Sequence, residues 1–152
     1  MLSKGLFKLI VKHVFSPLFI GGLIYIFFRS TSLRLFELFE IIKVKSTLIN
    51  IRCLLIPVKN ELPSWFYFSL PDGLWVYSFS SALIILWSNQ FDLGKYWLVF
   101  PLIFGAFIEI AQKIKIFPGT FDAIDIIFSI SAITLSIITL KPSIQKNEKS
   151  YM

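Results

Sequence analysis

Four long apolar segments, at about 9–29, 72–88, 95–114 and 121–140, decide what this chain can fold into. A helix needs about 20 mainly apolar residues to cross the hydrocarbon of a bilayer. A backbone in that medium must satisfy its own polar groups, and a helix does so within one segment. The whole chain has 152 residues, 56% hydrophobic and only 16% charged. Soluble domains carry about 25% charged residues, so a water-soluble core of this size is excluded. The expected fold class is an all-α membrane protein in one domain, 1–152. The expected architecture is a bundle of four transmembrane helices plus one interfacial amphipathic helix.

In chain order, residues 1–13 form a basic lead-in helix. Lys4, Lys8 and Lys12 are four apart and make one stripe, with Leu6, Leu9 and Ile10 on the other face. Span 1 follows over 9–29. No small-residue cleavage site follows it, so an uncleaved anchor is expected. Residues 30–72 alternate apolar and charged residues at helical spacing, which predicts an interfacial helix and a loop. Within them, 48–58 carries Asn50, Arg52 and Pro57 and reads as a packed loop rather than a re-entrant piece. The cluster Trp65, Phe66, Tyr67 and Phe68 marks a membrane–water boundary. Span 2 is expected over 72–88, with Pro71 and Asp72 as its start. Span 3 covers 95–114, span 4 covers 121–140, and 141–152 is a loose polar tail.

The net charge of +6 comes from Lys and Arg scattered between apolar runs, so nucleic acid is not an expected partner. Cys53 is the single cysteine and His13 the single histidine. No metal site and no cofactor are expected, and His13 reads as structural or interfacial.

The acids carry the functional signal. In a four-span chain, span 2 starts where span 3 ends and span 4 starts. Asp72, Glu109, Gln112, Asp122 and Asp125 therefore share one leaflet. Glu109 and Gln112 are three apart on one helix face, with Gly105 a turn earlier. Asp122 and Asp125 open a stripe that continues through Ser129, Ala132, Ser136 and Thr139, a small and polar seam suited to close helix packing in lipid. Trp65, Trp75 and Ser129 are possible lining residues. Asp72 and Asp122 also suit plain helix N-caps, whereas Glu109 and Asp125 sit a turn deeper. A shared proton, a bound cation, or a partner such as Arg52 or Lys113 would relieve the repulsion among these acids.

An E-x-x-Q near the end of one span, followed by D-x-x-D opening the next, resembles the VanZ-like family of small bacterial membrane proteins. The matching residues are Glu109, Gln112, Asp122 and Asp125, with Asp72 as the family's other acidic position. The resemblance covers about half the chain, from Leu70 to Leu140. Where the family carries basic residues after its first Asp, this chain has Gly73 and Trp75 or Val76. Leu-Pro-Asp-Gly-Leu-Trp is also similar to small membrane proteins of Bacteroidetes-type bacteria. The resemblance implies an envelope membrane protein; the founding member is tied to teicoplanin resistance.

The leading functional expectation is a non-enzymatic envelope protein whose acidic intramembrane site binds a small ligand or lipid headgroup. A proton- or cation-coupled transporter working as a homodimer is the alternative. A structural subunit of a larger membrane complex is another. An enzyme is disfavoured, because the cluster holds no His, Ser-Lys or Cys-His arrangement. Lys and Arg number seven on one side of the four-span topology and eight on the other. The N-terminal triplet and the basic tail then place both termini in the cytoplasm of a bacterial inner membrane.

Overall fold

The computed structural model describes residues 4–30, 34–88, 95–116 and 122–149. The side chains of Glu109 and Gln112, residues 117–121 and the extreme C-terminus lie outside the described residues. Every regular element among the described residues is helical. Helix α1 covers Lys4–Phe28, α2 Arg34–Ile41, α3 Lys45–Glu61 and α4 Ser64–Leu86. A 3₁₀ turn, Lys95–Leu98, leads into α5, Val99–Lys113, and α6 covers Ala123–Lys149.

Among the described residues, three helices are long and apolar enough to cross a membrane: Lys4–Phe28, Ser64–Leu86 and Ala123–Leu140. Their packing is inverted relative to a water-soluble protein. Ser69, Ser78, Ser80, Ser81 and Ser136 are buried, while Phe19, Phe79, Ile127 and Ile138 face outward. Small residues let helices approach without a hydrophobic drive between them, and large apolar residues cost nothing against lipid. The α4–α6 interface follows this rule, with Gly73 against Phe128 and the buried Ala132 and Ser136 on the facing helix.

Contacts along the helices give their directions. His13 meets Tyr77, Gly21 meets Trp75, and Arg29 meets Asp72, so α1 and α4 are antiparallel. Trp65 meets Phe128 and Tyr77 meets Thr139, so α4 and α6 are parallel. Phe100 of α5 packs against Phe79, and Gly105 approaches Ser129, so α5 runs back alongside both. The bundle thus has two ends. One gathers the start of α1 and the ends of α4 and α6 around Ile84, Ile85, Leu98 and Leu140. The other gathers Arg29, α2, α3 and the starts of α4 and α6.

Helix α1 contains a π-helical turn, Val11–Phe15. Pro17 explains it. Proline has no N–H to offer the carbonyl at position 13 and its ring crowds that carbonyl. The helix widens instead, and the Ser16 N–H reaches the Val11 carbonyl five residues back. The Ser16 hydroxyl donates to the same oxygen at 2.9 Å.

Three elements differ from the sequence expectation. Helix α4 begins at Ser64 after the N-cap residue Pro63, so Pro71 and Asp72 lie inside it and do not start it. Neighbouring helices can offset the ladder bond that an internal proline loses. The 48–58 segment is part of the helix α3, which has no buried residue, so it is not a buried loop. Together α2 and α3 supply two surface helices where one is expected. Beyond Leu140, α6 continues as helix to Lys149.

Candidate functional site

Asp72 sits two turns into α4 and faces Arg29, the residue that ends α1, with Nη2 to Oδ2 at 3.6 Å. The Arg29 guanidinium also lies 5.4 Å from the centre of the Tyr25 ring and 5.0 Å from that of Phe68. A cation held between two ring faces and a carboxylate is fixed by three weak forces rather than one strong one. Its Nε is buried without a hydrogen-bond partner.

A second arginine completes this corner. Arg52 reaches from α3 and donates to the carbonyls of Ile26 and Arg29. The last carbonyls of a helix have no partner within it, so this side chain caps α1 from another element. Its guanidinium stacks 5.0 Å from the centre of the buried Phe36 ring of α2. Burial pushes Arg52 below the ordinary arginine pKa. The carboxylate partner at this corner is therefore Arg29's. Arg52 is committed to backbone and ring.

The opening of α6 separates its two acids. Asp122 is an N-cap: its Oδ1 accepts from the Ile124 N–H at 2.9 Å, and its carbonyl accepts from the Asp125 N–H at 3.2 Å. Asp125 is half-buried and has one carboxylate oxygen, Oδ1, buried without a hydrogen-bond partner. Ser129 lies a turn further on, its hydroxyl 3.8 Å from where a Cβ on Gly105 would stand. Because α5 and α6 are antiparallel, position 109 is one turn past Gly105 and falls opposite position 125. The outward face of α5 is occupied by Phe100, Ile103, Phe104, Phe107 and Ile110.

The proposed lining residues divide. Trp75 is wedged between Gly21 and Tyr25, its ring 5.3 Å from Tyr25, and serves as a wall. Trp65 packs near Phe128 at 5.8 Å and remains 42% exposed. Among the described residues, no three His, Cys, Asp or Glu side chains group closely enough to hold a metal ion.

Two features escape a reading of the acids alone. Arg29 is one, though it is the first charge after span 1 and the order of the chain puts it at the Asp72 end. The other lies toward the opposite end. His13 is buried, with Nδ1 2.6 Å from the Tyr77 hydroxyl, which is 3.1 Å from Thr139 Oγ1. Thr139 donates to the Leu135 carbonyl at 2.7 Å. Using each proton once runs the chain one way: His13 Nδ1–H to Tyr77, Tyr77 to Thr139, Thr139 to Leu135. It ties α1, α4 and α6 together, and Ser78 adds a bond to the Val14 carbonyl at 2.8 Å. Pro17, four residues beyond His13, is the sequence signal for the wide turn that holds it.

Comparison with family models, with curated proteins and with solved structures returned no match. Fold and site together define a class: a protein whose described residues are all-helical, with three helices among them long and apolar enough to span a membrane, and with an ion-paired, aromatic-flanked polar corner at one end.

Proposed function

We propose that this chain is a VanZ-like integral protein of the bacterial inner membrane, and that its polar end holds a small ligand or lipid headgroup bearing hydrogen-bond donors. In this reading four helices cross the membrane, α5 among them, and both termini are cytoplasmic. Support for the fourth crossing comes from direction. Helices α4 and α6 are parallel, so the chain must return between them. The stretch Lys95–Lys113 has 4 residues of 3₁₀ turn and 15 of α-helix. At about 2.0 and 1.5 Å per residue this spans roughly 30 Å, the depth of the hydrocarbon.

The observation that carries the function is the orphaned Oδ1 of Asp125. A buried acceptor without a donor is costly, and an ammonium or hydroxyl group of a ligand would satisfy it. Asp72 and Arg29 beside the aromatic walls add one group of each sign for a polar headgroup. In this reading Glu109 and Gln112 belong to the same site, on the strength of the E-x-x-Q and D-x-x-D spacing that resembles the VanZ-like family.

Native mass spectrometry of the purified protein with phosphatidylethanolamine and with phosphatidylcholine tests this. Only the first has N–H donors in its headgroup. The wild type should retain phosphatidylethanolamine preferentially, and Asp125→Asn should lose the preference while its thermal midpoint stays close to wild type. Equal retention of the two lipids by the wild type would contradict the proposal.

A further inference from the structure

The end of the bundle remote from the acids carries a cleft of about 330 Å³ lined by Gly5, Lys8, Leu9, Lys12, His13 and Thr139. Its volume lies in the range of about 300–1,000 Å³ found for small-ligand sites. Two lysines stand on its rim and, among the described residues, no carboxylate lines it. The floor is rigid, because His13 and Thr139 are joined through Tyr77. We propose that this cleft binds the phosphate of an anionic phospholipid.

Four observations converge on that ligand. First, Lys8 and Lys12 are one helical turn apart on one face, so both ammonium groups can reach a single phosphate. Second, α1 is 25 residues long. At about 1.5 Å per residue it exceeds the roughly 30 Å hydrocarbon depth by about 7 Å. An excess of that size lets the first turn, which carries Lys4, stand in the headgroup layer, and long lysine side chains extend toward that layer from further in. Third, the cleft lies between the helices α1 and α6, the kind of basic inter-helix pocket that takes anionic lipid headgroups. Fourth, Phe7, Val11 and Phe15 are exposed on α1 beside the two lysines. They offer acyl chains an apolar ridge directly below the headgroup, which a free phosphate would not need.

The site is separate from the acidic end and does not depend on its function. The test uses the full chain in mixed micelles, with lipid affinity read by native mass spectrometry. Phosphatidylglycerol should bind the wild type well above phosphatidylcholine. Lys8→Gln/Lys12→Gln should weaken phosphatidylglycerol binding roughly thirty-fold, about five-fold for each lysine near an anionic surface. The thermal midpoint without lipid should be unchanged in this variant, since both side chains are exposed. Asp125→Asn should leave phosphatidylglycerol binding intact. Undiminished phosphatidylglycerol binding in the double variant would overturn the proposal, as would equal binding of the two lipids by the wild type. Inorganic phosphate that displaces phosphatidylglycerol at millimolar levels would overturn the lipid as the source and leave a soluble phosphate compound in its place.

Discussion

Gly21 and Gly22 are neighbours with opposite duties. A Cβ on Gly21 would stand 2.7 Å from Trp75 Nε1, 2.9 Å from its Cδ1 and 3.2 Å from the Pro71 carbonyl. A Cβ on Gly22 would meet nothing within 4 Å. The indole could turn aside, but Tyr25 packs on it, and the Pro71 carbonyl belongs to a helix backbone. Gly21→Ala should therefore cost about 1–3 kcal/mol, as overpacking usually does. Gly22→Ala should be neutral or slightly stabilising, because alanine is the better helix former. Thermal midpoints of the two variants in one detergent check this, and equal effects would contradict the packing. The two residues look alike in the sequence, where both read as small positions in a span. Only the placement of Trp75 separates them. The acids behave the same way. Spacing put Asp122 and Asp125 on one stripe, yet one caps its own helix and the other keeps a buried oxygen unpaired. Spacing says which residues share a face, whereas partners arrive from elsewhere in the chain.

At the level of elements, the surface helices show how local rules and tertiary contacts divide the work. Two residues past Ile41, the chain leaves helix α2 through Lys43, whose φ is +58°. Its N–H bonds to the Glu40 carbonyl at 3.0 Å, and the Val44 N–H bonds to Phe39 at 2.9 Å. This is the paired closure in which glycine is the usual residue. Lysine accepts a strained backbone there, offset in part by its charge near the helix C-terminus. Lys43→Gly should stabilise the α2–α3 junction by up to about 1 kcal/mol. Slower hydrogen exchange at Leu48 and its neighbours would confirm it, and faster exchange would contradict it. Helix α2 was legible in its alternation of Leu, Phe and Glu. Helix α3 was not, because Asn50, Arg52 and Pro57 look like interruptions in an apolar run. They are tolerated because the helix stays exposed and because Arg52 serves the end of α1, a role that periodicity within α3 cannot reveal. The start of α4 was hidden for a related reason. Leu-Pro-Asp-Gly has the chemistry of a helix start, but Pro63 supplies an earlier one and the aromatic cluster at 65–68 is itself helical.

For the whole molecule, the all-helical membrane class followed from apolar length alone, and the directions of the three long helices agree with the order of the chain. That order also put Asp72, Asp122 and Asp125 at one end before any packing was known. The basic cleft at the other end was not legible, since His13 becomes part of it only through the wide turn at Pro17 and the contact with Tyr77. The return path through α5 decides the topology. If α5 crosses, the two termini lie on the same side; if only the three long helices cross, they lie on opposite sides. Single cysteines at Ser3 and at Ser150, each in a Cys53→Ser background, can be labelled with an impermeant maleimide in intact and in lysed cells. A four-span bundle with cytoplasmic termini leaves both positions shielded in intact cells and labelled only after lysis. Labelling of one terminus in intact cells and not of the other would contradict the four-span bundle and with it the single polar end.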